Sequence, residues 1–358
     1  MPRAAEGNSR LQMTKLCLRT LAVMVVLLAN AVWAETSEIR IAEQYGVAFL
    51  PLMIMRDQKL LEKHAAKAGL AKLQVVWSKI GAVNAINDAL LAGKLDIAAG
   101  GVPSLVLLWS KTKGTPSAVR GVAALGDIPN ELVVSRPEVK SIRDFGPQDK
   151  IAVTAVKISN QAIALQMAAS RAFGDAAYEK LDPLTIGMAH PDAAIALLSG
   201  KGGITAHFSS PPFMERETAK PPLHSILSTY DVLGGPATLN LIWTRLSFHD
   251  ENPKTYRALV QALEEAIDIL NRDKRAAAAT YKRMSGDSES VEEILAILED
   301  PRIVFTLTPH RVQVTADFMH RIDRRTGRIC FSRMPTAEAE ADGAVDVSTL
   351  NGVDFAAV

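Results

Sequence analysis

Two stretches of the chain read almost alike, and each holds the same place in a longer pattern. Residues 89–94 read Ala-Leu-Leu-Ala-Gly-Lys, and residues 196–201 read Ala-Leu-Leu-Ser-Gly-Lys. Each follows an amphipathic run and precedes a short apolar segment typical of a strand, 95–99 in the first copy and 203–208 in the second. A turn of small residues with proline and another helical run come next in both copies. Four elements in a shared order favour an internal repeat over a coincidence between two Ala/Leu-rich helix ends.

The repeated unit predicts a helix that ends at glycine, a strand, a turn, and a helix that begins at proline. Gly93 and Gly200 can take the left-handed conformation that ends a helix, and proline is favoured in the first helical turn. The N–H groups at a helix N-terminus attract anions and polar ligand groups, and ligands of open α/β sheets lie beyond the carboxyl ends of the strands. We therefore expect the two turns, residues 100–104 and 209–212, to line one cleft between two similar lobes.

The N-terminus has the pattern of a secretory signal. Lys15 and Arg19 precede an apolar run, 21–32, and small residues suited to cleavage follow, ending at Ala34. The run is shorter than the stretch of about 20 apolar residues that a membrane span needs. We therefore expect cleavage after Ala34 and export to the periplasm. A start at Met13 would leave a compact signal peptide and stays open as an alternative first residue.

Charge and cysteine content narrow the class of protein further. The sequence has 40 basic and 39 acidic residues, and removal of residues 1–34 leaves 36 and 38, a net charge of −2. A strongly basic face is needed for nucleic acid, so we expect no nucleic-acid partner. Cys330 would be the only cysteine of the mature chain, which excludes an intrachain disulfide. Such a chain fits a bacterial periplasmic protein better than a small secreted protein stapled by disulfides.

Short strands alternate with long helices along the chain, which predicts parallel α/β sheets. The predicted strands are 38–43, 73–77, 95–99, 119–125, 131–135, 150–155, 184–187, 203–208, 225–227 and 237–243. The main predicted helices are 45–60, 161–173 with Ser159 as its N-cap, 191–198, 253–271, 274–284, 290–298 and 309–324.

Two segments are predicted to cross between the lobes, residues 126–130 and residues 229–235. Paired linkers can bend as a hinge, and hinge closure around a ligand is a standard way to bind small molecules. The prediction is therefore capture rather than catalysis. The chain is divided into a signal peptide (1–34), lobe I (35–128 with 229–334), lobe II (129–228) and a loose C-terminal tail (335–358).

Three blocks of sequence carry a family resemblance: Tyr45-Gly46 at a helix opening, residues 89–98, and residues 191–213. Through them the chain resembles the substrate-binding proteins of bacterial ABC importers of the nitrate, sulfonate and taurine class, from Ile39 to about Met319. The second copy departs from the usual pattern, because Gly203-Ile204-Thr205-Ala206 stands where an Asp often follows the Gly.

The resemblance implies an α/β, two-lobed type II periplasmic binding protein fold with a central ligand cleft. It implies that the protein captures a small anionic organic solute, such as a sulfonate, taurine or a carboxylate, by hinge closure. The implied partners are an ABC permease and its ATPase, to which the ligand is delivered. We expect a monomer without a cofactor.

No catalytic set emerges from the sequence, so we expect a protein that is not an enzyme. The seven histidines show no His-Glu-x-x-His spacing, and neither a Cys-x-x-Cys pair, a Gly-x-Ser-x-Gly elbow nor a phosphate loop is present. No metal site is therefore predicted. His207, beside the second turn, is either close to the ligand or a strand-end histidine satisfied by backbone.

Two other function classes stay open. The fold also resembles the pyrimidine-precursor synthases of thiamine biosynthesis, which sacrifice a histidine and use a short cysteine-rich iron motif. A protein that binds a thiamine pyrimidine precursor, or one related to these synthases, is therefore the second class. A periplasmic ligand-sensing module without transport is the third class.

The expected ligand site gathers small and polar residues at the predicted turns. They are Tyr45, Gly46, Ser78, Gly101, Val102, Asn130, Ser159, Ser209 and Ser210. The serines are either ligand hydrogen-bond donors or helix caps, since serine is favoured at caps regardless of ligand. Val102, Pro103 and Phe213 are predicted to supply apolar walls.

Overall fold

The computed structural model describes residues 35–326. The predicted signal peptide and the predicted C-terminal tail lie outside these residues. Across the described range, no helix combines the length and apolar character that crossing a membrane requires.

Within residues 35–326, ten strands form two five-stranded sheets. The strands are β1 (Glu38–Glu43), β2 (Gln74–Lys79), β3 (Ile97–Gly101), β4 (Val119–Asp127), β5 (Glu131–Val134), β6 (Ile151–Val153), β7 (Thr185–Gly187), β8 (Ala206–Ser209), β9 (His224–Ser228) and β10 (Thr238–Arg245).

Helices flank both sheets. They are α1 (Leu50–Asp57), α2 (Leu60–Lys67), α3 (Val83–Leu91), α4 (Val102–Thr112), α5 (Asn160–Phe173), α6 (His190–Ser199), α7 (Phe213–Thr218), α8 (Thr229–Leu233), α9 (Leu246–Glu251), α10 (Pro253–Arg272), α11 (Lys274–Ser285), α12 (Val291–Glu299) and α13 (Val312–Thr326). Short 3-10 turns are at Val47–Phe49, Ile142–Asp144, Asp175–Ala177 and Asp182–Leu184.

The two sheets have the same strand order. The first sheet runs β2-β1-β3-β10-β4 and the second runs β7-β6-β8-β5-β9. In the first, β1 pairs parallel with β2 and β3, as β6 does with β7 and β8 in the second. The repeat in the sequence therefore corresponds to a repeated unit of structure, α3-β3-α4 in lobe I and α6-β8-α7 in lobe II.

The prediction of parallel sheets is wrong for one internal strand in each sheet, the fourth in the strand order. Strand β10 runs antiparallel to β3 and β4, and β5 runs antiparallel to β8 and β9. Both strands enter their sheet directly from a crossing between the lobes. They therefore run away from the cleft, whereas β1, β3, β6 and β8 end at it. All strands of the second sheet fall within residues 129–228, and the exact lobe boundaries stay a prediction.

The predicted single helix over residues 45–60 is divided in the structure. A 3-10 turn at Val47–Phe49 precedes α1, and Lys59 in the left-handed conformation, with φ 52°, separates α1 from α2. No Gly or Pro marks the break near Lys59, so the sequence pattern gives no signal for it.

The core of lobe I lies between its sheet and the longest helix, α10. Leu259, Leu263 and Leu270 recur on one face of α10 at helical spacing and are fully buried. Each such burial contributes roughly 1.5–3 kcal/mol. Because α10 packs on α1 and α2, this layer holds the ends of β1 and β3 in place behind the cleft.

The lobes are closed on one another. The Val47 N–H donates to the Pro211 carbonyl oxygen at 3.0 Å, and Nδ2 of Asn160 donates to the Leu239 carbonyl oxygen at 2.7 Å. Away from the cleft, the guanidinium of Arg216 makes two hydrogen bonds to the carboxylate of Glu289, at 2.5 and 2.7 Å. Closure therefore rests on direct polar contacts between the lobes.

Gly46→Ala should shift the protein towards an open form. A Cβ on Gly46 would lie 2.8 Å from the Pro211 oxygen, and its φ of 103° is one that L residues rarely adopt. Small-angle X-ray scattering should show a larger radius of gyration. Gly69→Ala is the matched control, because Gly69 also has a positive φ, of 86°, but a Cβ there meets nothing within 4 Å. Equal radii for the two variants would contradict the prediction.

Candidate ligand-binding cleft

A narrow cleft lies between the lobes where the parallel strands of both sheets end. It is lined by Gln44, Tyr45, Phe49, Val83, Gly101, Asn130, Thr154, Ser159, Asn160, Gln161, His190, Ser210, Leu239 and Asn240. The volume of its cavity is about 30 Å³. No Asp, Glu, Lys or Arg is among these lining residues, so amides, hydroxyls and backbone supply its polarity.

Five of the predicted site residues line this cleft: Tyr45, Gly101, Asn130, Ser159 and Ser210. They come from both lobes and from the first crossing between them. Whether they contact a ligand stays a prediction.

The other four predicted residues are not among the lining residues. Ser78 lies within β2, paired with Ala42, because the strand continues beyond Trp77 where we predict a turn. Gly46 serves the contact between the lobes described above, and the Val102 side chain packs in the hydrophobic core. Ser209 is the last residue of β8, and its hydroxyl lies beside the Glu217 carboxyl inside lobe II.

The predicted apolar walls also lie elsewhere. Pro103 lines a separate small cavity, together with Ile163 and Leu233. Phe213 is fully buried, and its ring stacks on His190 with centroids 5.8 Å apart. Phe49, Val83 and Leu239 supply the apolar lining instead.

Two helices begin at the cleft, α4 directly after Gly101 and α5 directly after Ser159. Their approach requires glycine, because a Cβ on Gly101 would lie 2.5 Å from Nδ2 of Asn160. Ser159 is the N-cap of α5, as predicted, and its Oγ accepts a hydrogen bond from the Ala162 N–H at 3.2 Å. Gly101 and Ser159, the residues directly before the two helices, therefore line one small volume, and helix N-termini favour an anion.

Asn130 is fully buried at the crossing between the lobes. Its backbone is held by Thr229, because the Asn130 N–H donates to Oγ1 and the Thr229 N–H donates to the Asn130 carbonyl oxygen. Neither amide atom of its side chain has a hydrogen-bond partner among the described residues. A buried polar group without a partner costs about 1–3 kcal/mol. The amide of Asn130 therefore has unused hydrogen-bonding capacity in a residue that lines the cleft.

A chain of buried hydrogen bonds runs from the cleft into lobe II. Thr154 Oγ1 donates to Gln161 Oε1 at 3.1 Å, and Gln161 Nε2 lies 3.2 Å from His190 Nε2. His190 Nδ1 lies 2.8 Å from His207 Nε2, and His207 Nδ1 lies 2.6 Å from Glu217 Oε1. We call these five residues the histidine chain.

Burial controls the charges in the histidine chain. Burial lowers the pKa of His207 to about 3, and burial followed by the neighbouring His207 lowers the pKa of His190. Burial raises the pKa of Glu217 to about 8, opposed by the Ser209 hydroxyl and the charge of Arg216. Both rings are therefore neutral at physiological pH. Within the histidine chain, Glu217 is the group whose pKa lies nearest to physiological pH. His207 takes a role other than the two we expected, since its ring bonds His190 and Glu217.

Sequence reasoning missed His190 as a cleft residue. His190 is the first residue of α6, and Val83 is the first residue of α3 in the other copy of the repeat. Both line the cleft, as do Gln44 and Thr154, which directly follow β1 and β6. Comparing the two copies position by position pairs His190 with Val83, and both line the cleft.

Solved structures with a similar fold include proteins that bind sulfonates and nitrate. The alkanesulfonate-binding protein SsuA of Xanthomonas axonopodis pv. citri, bound to MOPS, has a TM-score of 0.64 at 16% identity, over 83% of this chain and 95% of that one. The periplasmic aliphatic sulphonate-binding protein SsuA of Escherichia coli has a TM-score of 0.61 at 15% identity, over 84% and 95%. The periplasmic nitrate-binding protein NrtA of Synechocystis PCC 6803 has a TM-score of 0.65 at 16% identity, over 90% and 89%.

These likenesses show that the chain has the two-lobed α/β fold of periplasmic binding proteins, which confirms the predicted fold class. The model of one protein family matches residues 33–285, which is more than half of the chain. The chain therefore belongs to the NMT1-like family. A comparison with curated protein sequences gives no match.

Ser159→Ala should separate capping from ligand binding. Loss of the bond to the Ala162 N–H should lower the free energy of unfolding by about 1 kcal/mol. Ser290→Ala is the matched control, because Ser290 caps α12 through the Glu293 N–H at 3.2 Å and is not a lining residue. If Ser159 also contacts ligand, only Ser159→Ala weakens ligand binding in calorimetry. Equal affinity in both variants would leave Ser159 a cap alone.

Glu217→Gln should remove part of the pH dependence of stability. The pKa of Glu217 rises from 4.5 to about 8 on folding, so the folded state holds a proton that the unfolded chain has released. This stabilisation is present at low pH and is lost as pH rises through about 8. Between pH 6.5 and pH 8, the free energy of unfolding should fall by about 2 kcal/mol more in wild type than in the variant, at about 1.36 kcal/mol per pH unit. Urea unfolding at a series of pH values measures the difference.

Glu215→Gln is the control for that experiment. Glu215 is on the same helix, and burial raises its pKa to about 7, so its contribution to the decline ends near pH 7 and the interval from pH 7 to pH 8 reports on Glu217. The Glu215→Gln variant should keep the decline between pH 7 and 8. Identical pH profiles for wild type and Glu217→Gln would contradict the assignment.

Proposed function

We propose that the protein is exported after cleavage at Ala34, captures a small anionic solute in the cleft, and delivers it to an ABC permease and its ATPase. Closure of the two lobes traps the ligand, and the closed form is what the permease recognises. The proposed ligand contacts are Tyr45, Gly101, Asn130, Ser159 and Ser210. The protein acts as a monomer in this proposal.

The observation that carries the proposal is the amide of Asn130. It is buried without a protein partner, and it lines the same cavity as the start of α4 and the start of α5. Its Nδ2 can donate to a ligand oxygen, while the helix N-termini supply further N–H groups and a favourable potential for negative charge. An oxyanion satisfies all of these donors at once.

The size of the cavity favours a compact ligand. A volume of roughly 10–15 Å³ holds one water, so the closed cleft, at about 30 Å³, has room for a few heavy atoms. Nitrate and methanesulfonate are of that order, and a larger sulfonate requires the lobes to separate further. The likeness to sulfonate- and nitrate-binding proteins supports the same class of ligand.

A thermal-shift screen of residues 35–358 tests the ligand class. The probes are nitrate, methanesulfonate, taurine, bicarbonate and benzoate, with glucose as a neutral control. A bound anion at a hundred times its dissociation constant should stabilise the fold by about 2.7 kcal/mol, which raises the melting temperature by several degrees. Stabilisation by none of the anions would refute the proposed ligand class.

Asn130→Ala should weaken the binding of any anion found in that screen roughly 10- to 100-fold, because a hydrogen bond to a charged group is worth about 1.5–3 kcal/mol. The ligand-free protein should be no less stable, since the amide has no protein partner to lose.

Asn252→Ala is the matched control. Asn252 is also buried but has partners, because its Oδ1 accepts from the Thr36 N–H at 2.7 Å and its Nδ2 donates to the Phe248 carbonyl oxygen. The Asn252→Ala variant should be less stable than wild type and should bind the anion with unchanged affinity. The reverse pattern, with Asn130→Ala less stable and its affinity unchanged, would refute the binding role of Asn130.

A further inference from the structure

We propose that the cleft binds its anionic ligand together with one proton, which the histidine chain places on the carboxyl group of Glu217. This inference rests on the proposed function, because it concerns a proton taken up with the ligand. It assigns to lobe II a second binding site, for a proton. This site is at the end of the histidine chain that lies farthest from the cleft.

The geometry of the histidine chain is continuous. Thr154, Gln161 and His190 line the cleft, and each successive pair of polar atoms towards Glu217 is 2.6–3.2 Å apart. The two rings and the carboxyl group expose 7%, 1% and 0% of their surface. Each neutral imidazole has one donor and one acceptor nitrogen. Such a chain can therefore point its donors in only one direction at a time.

When Glu217 is ionised, all donors point away from the cleft. His207 carries its proton on Nδ1 and donates to the carboxylate, and His190 carries its proton on Nδ1 and donates to His207. Gln161 then donates to His190 through Nε2, and the Thr154 hydroxyl proton is used on Gln161 Oε1. Thr154 offers only lone pairs to the cleft in this state.

When Glu217 is protonated, the direction reverses. The carboxyl O–H donates to Nδ1 of His207, whose Nε2–H donates to Nδ1 of His190. The Nε2–H of His190 then donates to Gln161, whose amide has turned over so that its oxygen faces the ring and its nitrogen donates to Thr154. The Thr154 hydroxyl proton is now free to donate into the cleft. One proton has been added, at Glu217, while both rings stay neutral and exchange one tautomer for the other.

An anion in the cleft distinguishes these two states. The protonated state is neutral and presents an O–H donor to the ligand, whereas the ionised state adds a buried negative charge and presents an acceptor. Repulsion between two negative charges is large in a site of low polarity. Because coupling between two sites is reciprocal, the proton tightens anion binding as much as the anion tightens proton binding.

Other charged groups near Glu217 are held in contacts of their own. Arg216, on the same helix, is paired with Glu289, and Glu131 on β5 is paired with Arg302. The His224 ring on β9 is held by the carbonyl oxygens of Pro222 and Val139, and Asp192 on α6 is exposed.

Glu215 is the other acidic group of α7. Its pKa is raised by burial first, and the charges that act on it are those of Glu131, Arg302 and Asp300. Because it lies outside the histidine chain and titrates close to neutral pH, it provides the control variant.

Nitrogen-15 NMR of the histidine rings tests the proton site without any ligand. In wild type, His190 and His207 should stay neutral from pH 6 to pH 9.5 and pass together from the Nε2–H to the Nδ1–H tautomer, with a midpoint near the pKa of Glu217, about 8. Glu217→Gln should keep both rings in one tautomer at every pH, because the glutamine amide neither gains nor loses a proton in this range. Glu215→Gln should switch like wild type.

Isothermal titration with nitrate and with methanesulfonate then tests the coupling. The dissociation constant of wild type and of Glu215→Gln should rise about tenfold between pH 7 and pH 9, with one proton taken up per anion at pH 9. In Glu217→Gln it should be the same at both pH values and close to that of wild type at pH 7. Buffers of different ionisation enthalpy give the proton count.

The outcomes separate this inference from the proposed function. Rings that keep one tautomer from pH 6 to pH 9.5 in wild type would overturn the proton site, even if Glu217→Gln fails to fold. Anion binding with equal affinity at pH 7 and pH 9 would overturn the coupling and leave the proposed function standing. A tautomer switch in a protein that binds neither anion would refute the proposed ligand class and support the proton site alone.

Discussion

Two glycines, Gly46 and Gly101, let the two lobes approach each other closely, and the properties of the cleft depend on that contact. Gly46 brings its backbone against the Pro211 carbonyl, and Gly101 leaves room for the Asn160 side chain that bonds Leu239 across the lobes. A methyl group at either glycine would push the lobes apart. Close approach removes water from the polar groups around the cavity, and it raises the cost of leaving any of them without a partner. The buried amide of Asn130 lines this cavity without a protein partner among the described residues.

Much of the fold could be predicted from the sequence because its signals are local. The glycines after α3 and α6, the Ser159 cap and the alternation in β1 each act within a few residues, and each is found where the sequence places it. The antiparallel directions of β5 and β10 could not be predicted in this way. They follow from where the chain re-enters a sheet after crossing between the lobes, which is a long-range property. The division of the predicted first helix at Lys59 likewise depends on packing.

The cleft was predicted by position within the repeat, and the prediction is weakest where side-chain direction matters. Gly101 and Ser210 line the cleft, but Ser209, one residue earlier, faces lobe II because successive residues of a strand point to opposite sides. In the second copy of the repeat, Thr205 stands where the first copy has Asp96, and it makes an equivalent hydrogen bond. Asp96 accepts a hydrogen bond from the Arg40 N–H at 2.9 Å, and Thr205 accepts one from the Lys150 N–H at 3.1 Å. A hydroxyl thus takes over the backbone contact of the carboxylate without its charge.

That exchange of charge for hydroxyl is part of a wider difference between the lobes. Lobe I keeps Asp96 paired with Arg40, whereas lobe II places His207 on its central strand and Glu217 behind it, both buried. An ionised Glu217 would be a costly charge in this setting, since its neighbour Arg216 is already paired with Glu289. Protonation relieves that cost, and the rings can transmit the change to Thr154 at the cleft without becoming charged themselves. Because no Lys or Arg is among the lining residues of the cleft, the anion that we propose as ligand would be held by N–H and O–H groups. In the proton-coupled binding that we propose, the number of donors that face this anion, rather than a fixed positive charge, decides its affinity, and the protonation state of one distant carboxyl group changes that number.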